Sequence, residues 1–156
     1  MKRFARVLAI LLGLVAITTA PIGADSDERS VTGAATGVFA AGAELGPVAL
    51  QGLEIGTGVF IEANGSASGT FHAVLRGSAL GDPREITLDG KVGGGSVAAD
   101  GHATFSGTAS LDLGDGLPPL PSVAFSVTAG VDGVVLAIDS TTLPAAGLTT
   151  GAVTIE

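Results

Sequence analysis

A chain of 156 residues with no Cys, Trp or Tyr has no disulfide to staple it and few aromatic platforms for stacking sugars or bases. Its formal charge of −8, from 15 acidic and seven basic residues, repels nucleic acid and anionic membrane surfaces, which excludes both as expected partners.

The first predicted element is a leader. Lys2, Arg3 and Arg6 precede the apolar run VLAILLGLVAI at 7–17, which is short of the ~20 residues a spanning helix needs. Small residues and a turn (TTAPIGA) follow, then the acidic DSDER. This is the three-part layout of a secretory signal peptide, expected over 1–24 as a helix that is later removed. Cleavage after Ala20 would set Pro21 beside the scissile bond; cleavage after Ala24 avoids that and is the expected site. With no Cys after the run, a lipid anchor is excluded. The expected location is secreted, extracellular or periplasmic, in the manner of a bacterial export substrate, with no stable membrane insertion after cleavage.

Removing 24 residues takes three basic residues and no acidic one, leaving 132 residues at a formal charge of −11. That length suits one domain with a core large enough to stand without staples. The expected layout is a flexible acidic N-terminus over 25–32 and a single all-β domain over 33–156. Residues 31–57 (VTGAATGVFAAGAELGPVALQGLEIGT) show little periodicity, and read as two poor strands or a long loop.

Beyond them the period is two, the signature of half-buried strands. Phe71, Ala73 and Leu75 oppose Thr70, His72, Val74 and Arg76; Ile86, Leu88 and Val92 oppose Glu85, Thr87, Asp89 and Lys91. In HATFSGTASLDL, Ala103, Phe105, Gly107, Ala109 and Leu111 oppose the hydroxyls Thr104, Ser106, Thr108 and Ser110. Val123, Phe125, Val127 and Ala129 repeat the pattern, and VVLAIDS and GAVTIE close the chain in the same way. Asn64-Gly65, Asp100-Gly101, Asp115-Gly116 and Asp132-Gly133 punctuate these runs with residues suited to tight turns. Asp89-Gly90 interrupts a strand and predicts a bulge. The fold class expected is all-β: an antiparallel β-sandwich or small β-barrel of about nine strands, its small inward residues letting the walls approach closely.

The runs GTFHAVLRG, ITLDGKV, DGHATFSGTASLDLGDG, PPLP and FSVTA, spread over 57–156, resemble a domain of uncharacterised secreted bacterial proteins. The resemblance implies a secreted, all-β chain. No activity, cofactor or catalytic residue comes with it.

Candidate chemistry is sparse. His72 and His102 sit on polar parities without His-x-His or HExxH spacing, so each reads as a surface histidine rather than a zinc ligand. No G-x-S-x-G elbow occurs, and a catalytic Cys is absent. A glycosidase pair of carboxylates would lack its aromatic cleft. Asp112 and Asp115 form a weak calcium candidate without the D-x-[DN]-x-[DN]-G spacing, and an acidic hairpin turn is the plainer reading. Leu117, Pro118, Pro119, Leu120 and Pro121 make a stiff PxxP segment, which with 77–84 is the candidate binding loop. The hydroxyl row invites an adhesive or ice-binding reading, but small hydroxyls are ordinary on a solvated sheet face.

The expected function is therefore an exported, non-enzymatic β-domain with a structural or binding role at or outside the cell surface. Its partner is an unidentified cell-surface or extracellular polymer, and it uses no cofactor. The alternative is a small barrel carrying an apolar ligand, which an apolar cavity of ~300 Å³ or more would favour.

Overall fold

The computed structural model describes residues 28–156. The leader over 1–24, its cleavage site and residues 25–27 lie outside the described residues.

The described chain is all-β and antiparallel, with ten strands. They are β1 (Arg29–Phe39), β2 (Glu44–Leu45), β3 (Val48–Ile61), β4 (Ser66–Ala79) and β5 (Asp82–Val97). After these come β6 (Ala103–Asp112), β7 (Leu120–Gly130), β8 (Gly133–Ile138), β9 (Thr141–Thr142) and β10 (Ala146–Ile155). The sheet order runs from β10 through β8, β7, β6, β5 and β4 to β3, and β1 pairs with both β3 and β10. The ladder thus returns to its start. Of the two expected architectures, the ring-like barrel is the one the pairings describe, with eight long strands in its wall and β2 and β9 as two-residue appendages. An eight-stranded wall leaves an interior that side chains just fill, or that admits one small ligand.

Two expectations change near the N-terminus. β1 begins at Arg29, so 29–32 belong to the barrel rather than to a flexible tail. Residues 31–57, open between poor strands and a loop, form most of β1, all of β2 and most of β3. Their period of two was hidden by glycines at inward positions. Val31, Ala35 and Phe39 are buried on one face of β1, and Gly33 and Gly37 share that face. A Cβ at Gly33 would strike the Ala152 carbonyl oxygen of β10, and its φ of 143° also lies where side chains are disfavoured. Absence of a side chain is what lets β10 close the ring here.

The expected bulge at Asp89-Gly90 is also corrected. Both residues pair in register, with His72 and Phe71 on β4 and with Ser110 and Ala109 on β6. The register of β5 against β6 slips instead between Val92 and Gly94. Gly90 serves packing: a Cβ there would meet the Phe125 ring at 2.5 Å. That ring stacks on Phe71 at a centroid distance of 5.7 Å, and Phe105 meets Phe71 edge-on at 5.6 Å. The three rings plug the middle of one continuous core that includes no buried charged side chain among the described residues.

Turn chemistry holds at Asn64-Gly65 and Asp100-Gly101, where both glycines have φ of 86°. The β7–β8 turn is Val131-Asp132, and Gly133 is the first residue of β8. Asp115-Gly116 lies within a longer connection, 113–119, between β6 and β7.

Candidate functional site

Strand direction sorts the connections between two ends of the barrel. Segments 40–47, 80–81, 113–119 and 139–145 meet at one end. The β3–β4, β5–β6 and β7–β8 turns meet at the other, with Arg29 and Glu156. Both expected recognition segments, 77–84 and 114–121, thus come to the same mouth, although 29 residues lie between them in the chain.

That mouth contains a cavity of about 310 Å³ lined by Leu45, Pro47, Val48, Ala79, Ile86 and Leu113, with Arg84 and Asp115 as its charged members. Arg84 shares the inward parity of Ile86 and Leu88, so the strand aims a guanidinium into the barrel mouth. Its Nη1 donates to the Gly114 carbonyl at 2.7 Å, which ties β5 to the 113–119 connection. Among the described residues Arg84 enters no ion pair, and most of its five N–H donors are uncommitted. Three exposed leucines stand at this end, Leu80 (104 %) and Leu117 (67 %) on the connections and Leu120 (48 %) at the start of β7. Leu80 also has a φ of 53°, a strained conformation for a leucine, held at the β4–β5 turn.

The candidate loop divides. Leu117, Pro118 and Pro119 lie in the connection, while Leu120 and Pro121 open β7, with Leu120 paired to Leu111. The Asp112 carboxylate accepts from the Gly114 amide at 2.8 Å, and the Asp115 carboxylate accepts from the Leu117 amide at 3.0 Å. Both carboxylates therefore shape this loop. No cluster of three metal-ligating side chains forms among the described residues.

The histidines do not converge. His72 lies on the outer wall of β4, where its Nδ1 is 2.7 Å from Asp89 Oδ1. His102 lies at the opposite mouth, where its amide donates to Asp100 Oδ1 at 3.1 Å. The His102 ring Nδ1 is also 3.1 Å from that oxygen but out of hydrogen-bonding alignment. The amide bond first and the ring second hold the Asp100 carboxyl below its ordinary range. On the outer wall Arg76 bridges strands, with Nη2 2.8 Å from Glu54 and Nε 3.3 Å from Glu85. Hydrogen bonds to Glu54 and then Glu85 raise the Arg76 pKa further. Val74 faces outward between these side chains and is still only 9 % exposed.

Sequence parity held one unused signal for the site. Extending the Ile86-Leu88 face back by two residues reaches Arg84, a cation on an apolar parity. No family model matches the chain, and no curated protein or solved structure aligns with it.

Proposed function

We propose that this chain is an exported β-barrel binding module that takes a small apolar body with a hydrogen-bond-accepting head in the Arg84 mouth. The observation that carries this reading is the convergence of an aliphatic cavity of about 310 Å³ with an inward-aimed guanidinium that enters no ion pair among the described residues. Such sites are concave and largely apolar, with a few placed polar groups that set orientation. Leu80, Leu117 and Leu120 extend the apolar surface onto the rim, where an entering ligand first meets the protein. The central plug of Phe71, Phe105 and Phe125 limits depth, so the ligand sits in the mouth rather than in a through-going lumen. The export part of the reading rests on the leader, with its basic residues, short apolar run and small residues before Asp25. The outer wall at β3–β5 carries Glu54, Arg76, Glu85, Asp89 and Lys91, which suits water better than lipid.

Titration with a fluorescent fatty acid tests the reading. Saturable uptake is expected, and Ala79→Trp, which fills the cavity from its wall, is expected to abolish it while circular dichroism stays unchanged. Equal uptake by Ala79→Trp and the parent chain would place the probe elsewhere and overturn the proposal.

A further inference from the structure

The ring has one incomplete seam. β10 pairs with β1 along its length, from Ala146 to Ile155, but with β8 only at Ala146 opposite Val134. Beyond Ala146 the other edge of β10 has no strand partner among the described residues, and Thr149, Thr150, Gly151 and Ala152 are all exposed.

Hydrogen-bond alternation shows which groups this edge presents. Ser30 and Glu156 exchange both backbone bonds, at 2.9 and 3.0 Å, so they form a hydrogen-bonded pair. In an antiparallel ladder the next pair faces away, and the alternation continues. Ile155, Val153 and Gly151, opposite Val31, Gly33 and Ala35, therefore turn their N–H and C=O groups from β1 toward the open side. Among the described residues these donors and acceptors, held in strand geometry, have no backbone partner.

Edges of this kind are normally guarded by charge, proline or cover. This one is not. Residues 140–155 contain no ionisable side chain, and neither do residues 30–43, which supply the adjoining strand β1 beyond Arg29. In a chain with a formal charge of −8 this is an uncharged strip, so two copies meet here without the repulsion felt over the rest of the surface. The exposed side chains are Thr, Gly and Ala, small enough for backbones to approach.

We infer that the free edge of β10 pairs with the same edge of a second copy, antiparallel about a two-fold axis at Val153. Only this centre gives each of Gly151, Val153 and Ile155 a facing partner: Val153 opposes Val153, and Gly151 opposes Ile155 in both directions. Three facing pairs with two bonds each give about six inter-chain hydrogen bonds. The pairing is isologous, so it consumes both free edges and ends at a dimer rather than a fibre. Ala152 then faces Thr154 of the other copy across each non-bonded pair, and the Glu156 carboxylates lie at opposite ends of the ribbon.

Two paired variants test this register by sedimentation analysis of the chain purified from a host expressing the full sequence. The parent chain is expected to sediment as a dimer at concentrations well above micromolar. A152K/T154K places lysines opposite lysines and is expected to weaken the dimer by about tenfold or more. A152K/T154E places each lysine opposite a glutamate and is expected to dimerise at least as well as the parent. All these side chains lie on the outer face, and circular dichroism should match throughout. A parent chain that stays monomeric, or two variants that dissociate alike, overturns the inference.

Discussion

The two mouths of the barrel begin alike and end differently. Each carries an arginine on the inward parity of its strand, Arg84 at the start of β5 and Arg29 at the start of β1. Each encloses a hollow of similar size, about 310 Å³ beside Arg84 and about 300 Å³ beside Arg29. At the Arg84 mouth the walls are aliphatic and the rim carries exposed leucines. At the Arg29 mouth the walls include Glu62, Gly65, Gly95 and Ser96, and the turns are held by polar bonds such as Asn64 Nδ2 to Glu62 at 3.0 Å. Under the proposed function, a hollow of given volume takes an apolar ligand at one end and not at the other, because burial of apolar surface, rather than space, supplies the driving force.

The largest test concerns what separates the mouths. Phe71→Ala removes the ring shared by Phe105 and Phe125 and is expected to cost about 3–5 kcal/mol in urea unfolding. A loss below about 1 kcal/mol would mean that the plug is loose and the two mouths communicate.

Next comes the contrast between the arginines. Arg84→Met is expected to weaken fatty-acid binding about tenfold, the loss of one charge-assisted hydrogen bond, whereas Arg29→Met leaves it unchanged. Equal losses in isothermal titration would erase the distinction between the two ends.

A smaller effect lies in the interior. Thr57 faces inward on β3, opposite Gly33 and Phe71, and its Oγ1 is buried without a partner among the described residues. Thr57→Val is expected to stabilise the fold by about 1 kcal/mol, read as a raised unfolding midpoint. A destabilised variant would show that the hydroxyl is satisfied by water reaching the plug.

The smallest effect belongs to the Arg29 mouth. Asp100 has a carboxyl pKa depressed by the His102 amide, so it stabilises the folded state above its ordinary value of 3.8. That contribution fades as pH falls through the depressed folded value. Asp100→Asn is therefore expected to lower the thermal midpoint slightly at pH 7 and to leave a smaller gap from the parent near pH 3. A gap that widens on acidification would contradict the assignment.

How much of this was legible in the chain varies by element. β4, β5, β6 and β7 announce themselves by alternation, because Phe71, Ile86, Phe105 and Val127 are large and every second residue is polar. β1 was obscured, since Gly33 and Gly37 occupy inward positions that a reader of hydrophobicity scores as gaps. Gly90 misled in the opposite sense: it resembles a break and is a recess for Phe125. The candidate loop at Leu117, Pro118 and Pro119 was placed by its prolines, but the cavity beside it draws on Leu45, Val48 and Ala79, whose lining role no local pattern declared.

Local chemistry settled what local chemistry governs. Period-two alternation specified strands and their faces, and the Asn64-Gly65 and Asp100-Gly101 pairs specified turns, because both depend on neighbours a few residues apart. Closure of the ring, the meeting of 77–84 with 113–119, the aim of Arg84 into a cavity and the open edge of β10 were decided only by tertiary structure. Each depends on strand stagger and on contacts between distant segments, such as Gly33 against Ala152, for which the intervening sequence carries no signal.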